Sequence, residues 1–205
     1  MPNRVFLLSP ASTAGKRCQQ LLHARAESEL ALRLRAEGAP LGEVFSFLSA
    51  LYFRGKLAYA RRFAAPPANA HGVLVITPDR GLVPPDVPVT LDDLRDFARV
   101  GIDANEARYA KPLREAALAL SARLPRDTEL VLLGSIATPK YVDVLQPAFE
   151  NALRFPGEFV GRGDMSRGGL LLRAAAAGVE LDYQPIDGSK RRGARPPRLT
   201  RARRT

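Results

Sequence analysis

The chain has 205 residues, of which 46% are hydrophobic and 25% charged, a balance typical of a globular protein with a buried core. No apolar run approaches the ~20 residues that a membrane-spanning helix needs, no signal-peptide pattern is recognisable at the N-terminus, and a single cysteine excludes an internal disulfide. These features predict a cytoplasmic protein with no membrane partner. One Cys and two His residues argue against a structural metal site, and no cofactor is predicted.

The net charge of +10 is concentrated at the C-terminal end of the sequence. Residues 188–205 contain eight basic residues and no acidic one, whereas residues 1–187 contain 23 basic and 21 acidic residues. The end segment is also rich in Gly and Pro and poor in apolar residues, which is typical of disorder. We predict an α/β domain over 1–187 and a disordered basic tail over 188–205, which either contacts nucleic-acid phosphates or has no partner.

Apolar runs alternate with amphipathic segments along residues 1–187. The runs predict buried strands over 5–8, 73–76 and 130–133 and a last strand over 181–185. The amphipathic segments predict helices over 15–37, 43–64, 90–97, 112–124, 138–147 and 166–177. Because strands that alternate with helices pair in parallel, the predicted fold class is α/β: a single domain with a mostly parallel central sheet of four or five strands and helices on both faces.

The helix boundaries are predicted from capping residues and prolines. Thr90 and Thr138 are predicted N-caps, and Pro112 is predicted to open its helix. Ser166 and Gly178 are predicted to begin and end the last helix. Gly55 is predicted to interrupt the helix over 43–64, and Pro147 to kink or end the one that starts at Thr138.

Polar residues collect directly after the first three predicted strands. These loops cover 9–16, 77–81 and 134–140, and they carry Gly, hydroxyl and basic residues. The carboxyl ends of parallel strands meet at one edge of a sheet, so the loops are expected to converge, and helix N-termini there favour an anion. Ordinary turns require the same residue types, so each loop taken alone is also explained by turn chemistry.

The first loop contains Gly15-Lys16 and has the strand–loop–helix position of a phosphate-binding P-loop. That motif requires a glycine where this chain has Pro10 and a magnesium-binding hydroxyl where it has Arg17. Pro10 lacks the backbone N–H that a phosphate cradle uses. The sequence therefore argues against a P-loop, and Lys16 is left as a candidate anion contact.

Two further segments combine basic residues with chemistry-bearing neighbours. Residues 159–169 form a Gly-rich segment in which Arg162 and Arg167 could grip a phosphate or carboxylate, or Asp164 could pair with one of them while the glycines shape a turn. Residues 52–56 place Tyr52 and Phe53 beside Arg54 and Lys56, a pattern that suits either nucleobase stacking or core packing.

Four short motifs, taken in order, carry a resemblance to a known family. They are Leu8-Ser9-Pro10-Ala11, Phe53-Arg54-Gly55-Lys56, Gly81-Leu82-Val83-Pro84-Pro85 and Arg162-Gly163-Asp164-Met165-Ser166-Arg167. This order resembles the bacterial YaaA-like peroxide stress proteins and their relatives of unknown function, which carry similar "SPA", "F-K-G", "YG-L-x-P" and "RG-x-MSR" motifs. The sequence departs from that pattern at Ser12, where the family has Lys, and at Arg80, where it has Tyr.

The resemblance implies an α/β fold with a basic cleft, DNA binding, and a part in limiting iron-driven DNA damage under peroxide stress. It implies no particular reaction. The positions of this chain that match the family motifs are Ser9, Pro10, Arg54, Lys56, Gly81, Arg162, Ser166 and Arg167.

The leading functional prediction is that the chain binds nucleic acid or a nucleotide phosphate at the carboxyl edge of its sheet. The residues predicted to hold phosphates are Lys16, Arg54, Lys56, Arg80, Lys140, Arg162 and Arg167, with hydrogen bonds from Ser9, Ser12 and Ser166. The alternative is an enzyme that acts on a nucleoside, a nucleotide or a similar small anion, with Asp79 or Asp164 as the acid/base group. A third interpretation is a structural or partner-binding protein.

Overall fold

The computed structural model describes residues 2–197. Within them the chain forms eight strands: β1 (Arg4–Leu8), β2 (Ala39–Pro40), β3 (Val73–Ile76), β4 (Leu82–Val83), β5 (Pro88–Val89), β6 (Glu129–Leu133), β7 (Leu153–Pro156) and β8 (Tyr183–Pro185). The α-helices are α1 (Lys16–Leu22), α2 (Glu29–Ala36), α3 (Leu41–Ser49), α4 (Leu51–Phe63), α5 (Leu91–Ala98), α6 (Ala107–Ser121), α7 (Pro139–Phe149) and α8 (Asp164–Ala177).

Six of the strands form one mixed sheet in the order β4-β3-β1-β6-β7-β8. The four inner strands β3, β1, β6 and β7 run parallel, while β4 and β8 pair antiparallel at the two edges. The short strands β2 and β5 form a separate antiparallel pair. The predicted mostly parallel α/β fold is therefore confirmed, with one strand more than the upper expectation of five.

The central strands alternate their side chains between two cores, one on each face of the sheet. Phe6 and Leu8 of β1 belong to the core beneath α1–α5 and α8. Val5 and Leu7 belong to the core beneath α6 and α7. Because both faces are covered, β1 and β6 are apolar along nearly their whole length, which is why their sequence signal was strong.

Three of the predicted helix boundaries are wrong because a local contact overrides the expected signal. The segment 15–37 divides into α1 and α2 because Ser28 caps a new helix by accepting a hydrogen bond from the Ala31 N–H (3.4 Å). Pro112 lies inside α6, which begins earlier because the Glu106 carboxylate caps it at the Arg108 N–H (3.1 Å). Helix α8 begins at Asp164, and Ser166 accepts a hydrogen bond from Arg162 instead of capping.

The break in the segment 43–64 falls at Ala50, which has φ 45°, and not at Gly55. Gly55 lies within α4, where a Cβ would stand 2.7 Å from the Gly168 carbonyl oxygen of α8. The two glycines therefore allow α4 and α8 to pack backbone against backbone. Pro147 does not end α7, which continues to Phe149.

Other predicted boundaries are confirmed. Thr90 caps α5 in a reciprocal capping box with Asp93. Thr138 is the N-cap residue of α7, which begins at Pro139, and Gly178 ends α8 in the left-handed conformation with φ 66°. No helix in the described part of the chain is long and apolar enough to cross a membrane.

Residues 188–197 contain no helix or strand and lie against the domain. The Arg192 guanidinium donates to the Ala137 carbonyl oxygen (3.4 Å), Arg191 lies 3.6 Å from the Asp143 carboxylate, and Arg162 donates to the Pro197 carbonyl oxygen (3.4 Å). Residues 198–205 lie outside the described residues, so the disorder of the basic tail as a whole stays a prediction.

Candidate functional site

A cleft of about 620 Å³ opens at the carboxyl edge of the main sheet. Its walls come from the loop after β1, the loop after β6 with the first turn of α7, the junction of α3 with α4, the segment after α5, and the start of α8. Polar side chains are frequent among the lining residues, which include Ser9, Ser12, Thr13, Ser49, Tyr52, Arg99, Ser135, Lys140, Tyr141 and Asp164. Loops from separate strands therefore converge on one space, as the parallel topology requires.

Ser9 lies at the base of this cleft, directly after β1. Its backbone N–H and its hydroxyl both donate to the Leu133 carbonyl oxygen at the end of β6, each at 3.2 Å. The residue is only 4% exposed. Pairing to the adjacent strand holds the Ser9 hydroxyl in a fixed position while the residue still contributes to the cleft wall.

Lys56 of α4 is fully buried directly behind Ser9. Its ammonium nitrogen donates to the Ser9 backbone carbonyl and lies 2.8 Å from the Ser9 hydroxyl oxygen. It also lies 4.4 Å from the centre of the Tyr52 ring and 4.9 Å from that of Phe53. Burial lowers the pKa of Lys56 to about 7, Asp164 opposes this shift, and Arg167 and Lys140 reinforce it.

Arg167 of α8 is a second buried cation beside the cleft, with 8% of its surface exposed. Two of its nitrogens donate to the Phe159 carbonyl oxygen at 3.2 and 3.0 Å. Its third nitrogen lies 3.7 Å from the Asp164 carboxylate, whose side chain is 70% exposed. Three basic residues therefore lie at or behind the floor of the cleft: Lys56, Lys140 and Arg167. The carboxylate that interacts electrostatically with Lys56 is that of Asp164.

Two tyrosines complete the buried part of the wall. Burial raises the pKa of Tyr52 to about 12, although Arg167 and Ser9 nearby partly offset the effect. The Tyr52 hydroxyl is buried but forms no hydrogen bond of adequate geometry within the described residues. Burial also raises the pKa of Tyr141. Both hydroxyls therefore stay protonated at neutral pH, and the Tyr52 hydroxyl is available as a donor to a bound group.

The structure brings together part of the predicted site. Ser9, Ser12, Lys140 and Asp164 line the cleft, and Lys56 and Arg167 lie against it. Lys56 is fully buried and does not itself line the cleft, so it acts on a ligand electrostatically or through the Ser9 hydroxyl. Arg54, two residues away on α4, is exposed to solvent and does not line the cleft.

Asp79 and Arg80 do not line the cleft. Arg80 pairs with Asp93 of α5 (2.5 Å) and lies 3.4 Å from Asp79, and its guanidinium covers the Phe97 ring at 5.1 Å. Burial raises the pKa of Asp79. These contacts connect the loop after β3 to α5, so Asp79 and Arg80 have a structural role at a distance from the cleft.

Three other predicted residues also lie elsewhere. Lys16 lines a shallow depression on α1 with Gln19, Gln20 and His23. Arg162 and Ser166 line a pocket of about 360 Å³ that also includes residues 195–197 of the C-terminal segment. They therefore belong to a separate surface from Ser9 and Lys140.

Neither Ser135 nor Tyr141 was predicted from the sequence as a site residue. The contact between Ser9 and Lys56 was not predicted either. Ser135 and Tyr141 stand within or next to the predicted third loop, so their position could have suggested them. The contact between Ser9 and Lys56 joins residues 47 positions apart and depends on how α4 packs against β1, for which the sequence carries no local signal.

Comparisons of the chain with protein-family models, with curated proteins and with solved structures found no match. Within residues 2–197 there is no group of three or more His, Cys, Asp or Glu residues placed to hold a metal ion.

Proposed function

We propose that the cleft at the carboxyl edge of the sheet binds the phosphate group of a nucleotide, either free or within a nucleic acid. The observation that carries this proposal is the excess of positive charge at the cleft, where Lys140 and Arg167 are balanced by the single carboxylate of Asp164, and Lys56 adds a further charge only in its protonated form. A bound phosphate would supply the missing negative charge in a partly water-excluded site, where electrostatic interactions are strongest.

The polar lining gives further support. Lys140 is half-buried, and no carboxylate lies within ion-pair distance of it in the described part of the chain. It stands in the first turn of α7, whose free N–H groups also favour an anion. Hydroxyls from Ser9, Ser12 and Ser135 add donors at the same opening. The volume of about 620 Å³ falls in the range of small-molecule sites.

The nucleic-acid form of the ligand is supported by the basic C-terminal sequence, whose eight positive charges can contact phosphates without sequence preference. The resemblance to YaaA-like proteins also supports nucleic acid as the ligand. On the basis of that resemblance, we extend the proposal to protection of DNA under oxidative stress. A free nucleotide needs the cleft alone, whereas a nucleic acid would use both surfaces.

Isothermal titration calorimetry with ADP and with a short single-stranded oligonucleotide tests the proposal and distinguishes the two sources of phosphate. Replacing Lys140 with Ala removes a charged hydrogen-bond donor, which is worth about 1.5–3 kcal/mol, so affinity should fall about tenfold or more. Arg126→Ala, an exposed charge between α6 and β6 at the opposite edge, is the matched control and should leave affinity unchanged. Absence of binding by both ligands at low salt would overturn the proposal.

A further inference from the structure

The contact between Ser9 and Lys56 has the geometry of a nucleophile and its general base. A serine hydroxyl is a weak nucleophile unless a neighbouring base accepts its proton, and the two groups must lie within hydrogen-bond distance. The Lys56 nitrogen donates to the Ser9 oxygen at 2.8 Å, and the Ser9 hydroxyl donates to the Leu133 carbonyl oxygen at 3.2 Å. The hydroxyl must therefore rotate from Leu133 towards the Lys56 nitrogen before the neutral amine can accept its proton. Ser9 lines the cleft, while Lys56 is fully buried directly behind it.

The surroundings keep Lys56 in a form that can accept a proton. Its neighbours are two aromatic rings and the backbone carbonyl and hydroxyl of Ser9, and burial lowers its pKa to about 7, so a large fraction is a neutral amine at physiological pH. The charged groups that face it from other helices are Asp164 and Arg167 of α8 and Lys140 of α7, with the Tyr52 hydroxyl on its own helix. None of these groups forms a salt bridge with the Lys56 nitrogen.

We infer that Ser9 and Lys56 form a catalytic pair for acyl transfer, and that the substrate is an acyl ester of a nucleotide. The choice of an ester rests on the Ser9–Lys56 contact and the buried Tyr52 hydroxyl, whereas the choice of a nucleotide rests on the function proposed above. The Tyr52 hydroxyl is a buried donor that lies near Ser9 and Arg167 without a hydrogen bond of adequate geometry in the described residues, and it is suited to the single negative charge that develops on a carbonyl oxygen during attack.

The reaction balances without an external reagent. The Ser9 oxygen bonds to the carbonyl carbon as its proton moves to the Lys56 nitrogen, and the bond from that carbon to the alcohol oxygen then breaks. The Lys56 ammonium returns the proton to the departing alcohol. Water next attacks the acyl group on Ser9, Lys56 accepts the proton of that water and delivers it to the Ser9 oxygen, and the carboxylic acid is released.

Labelling with a biotinylated fluorophosphonate tests the pair in the full-length protein without requiring any nucleotide. The Ser9 oxygen should displace fluoride from phosphorus, and peptide mass spectrometry should find the adduct on Ser9 and lose it in Ser9→Ala. The rate should rise with pH around 7 and level off as Lys56 becomes neutral. Ser121→Ala, at the end of α6 on the opposite edge of the sheet, is the control and should be labelled like the wild type.

Replacing Lys56 with Met should slow labelling about 100-fold or more in protein that remains folded by circular dichroism. If that variant does not fold, the pH dependence of the labelling rate in the wild type tests whether Lys56 acts as the base. An unlabelled Ser9 in folded wild-type protein, or a rate that does not change between pH 5.5 and 9, would overturn the inference. Because the probe contains no nucleotide, these results are independent of the ADP titration, so failure of the catalytic pair and failure of nucleotide binding can be told apart.

Discussion

At the scale of single residues, the most informative side chain is Lys56. A lysine is rarely buried completely, because removing an ammonium from water is costly unless it is well paired. Here the compensation consists of the Ser9 carbonyl, the Ser9 hydroxyl and the faces of Tyr52 and Phe53. None of these partners carries a full negative charge, so the folded protein favours the neutral amine.

This arrangement predicts a specific dependence of stability on pH. The pKa of Lys56 is about 7 in the folded protein and near its ordinary value of 10.5 in the unfolded chain. Below pH 7 both states bind the proton and the full cost of burying the charge is present. Between about pH 7 and 10 only the unfolded chain binds it, so the free energy of unfolding rises with pH, by at most about 1.4 kcal/mol per pH unit.

Urea unfolding of wild type and Lys56→Met at pH 6.5, 8.0 and 9.5 measures this dependence. All other titrating groups are shared, so the difference between the two proteins isolates Lys56. The wild type should gain stability relative to the variant over this range. If the free energy of unfolding depended on pH in the same way in both proteins, Lys56 would keep its proton in the folded state.

At the scale of elements, the packing of α4 on α8 holds Lys56 and Arg167 close to each other. Gly55 and Gly168 meet at the crossing, and a Cβ on Gly168 would stand 2.8 Å from the Leu51 carbonyl oxygen. These atoms belong to helix backbones, which cannot move aside as a flexible side chain could. The small residues therefore set how closely the helices approach and bring the Lys56 nitrogen within reach of Ser9.

Gly55→Ala should destabilise the protein by about 1–3 kcal/mol, because the added methyl group forces α4 and α8 apart. This outcome opposes helix propensity, which favours Ala over Gly by about 1 kcal/mol in a helix interior. Gly101→Ala is the control, since a Cβ added there would have nothing within 4 Å, and it should change stability by less than about 0.5 kcal/mol. Chemical denaturation measures both variants, and a stabilised Gly55→Ala would contradict the close packing.

The two threonine N-caps provide a matched pair for a second test at this scale. Thr90 accepts a hydrogen bond from the Asp93 N–H (3.2 Å), whereas the Thr138 side chain makes no capping hydrogen bond. Thr90→Ala should cost about 1 kcal/mol, and Thr138→Ala clearly less. Thermal or urea unfolding measures both variants. Equal losses of stability would show that the hydrogen bond at Thr90 does not account for the contribution of this residue to stability.

At the scale of the whole molecule, positive charge occurs in two separate places, the cleft and the C-terminal segment 188–205. The cleft charges are partly buried and, under the proposed function, would act on one phosphate group at short range. The C-terminal charges can act on many phosphates of a polymer, with a strong dependence on salt. The proposed function therefore predicts different behaviour for small and large ligands.

Replacing the eight basic residues of 188–205 with Gln in the full-length chain should separate these contributions. If all eight engage duplex DNA, the plot of log affinity against log salt concentration for the wild type should have a slope of about −7, and the variant should lose most of this salt dependence. Affinity for ADP should change little, because the cleft is unaltered. Fluorescence anisotropy with DNA and calorimetry with ADP measure the two effects, and an unchanged salt slope would show that the segment does not bind DNA.

The fold class and the position of the cleft could be predicted from sequence because both follow from local patterns. The buried strands β1, β3 and β6 are continuous apolar runs, and their loops must share an edge once the strands are parallel. The close approach of Gly55 to Gly168, the burial of Lys56 and the pairing of Arg80 with α5 depend on tertiary packing. No spacing in the sequence encodes those contacts.

The most direct test of the account is a crystal structure of the full-length protein with ADP. We predict electron density for a phosphate group in the cleft, within hydrogen-bond distance of the Lys140 ammonium and close to Ser9. Density for ADP only at another surface, such as the pocket that includes Arg162 and residues 195–197, would contradict the assignment of the cleft as the binding site.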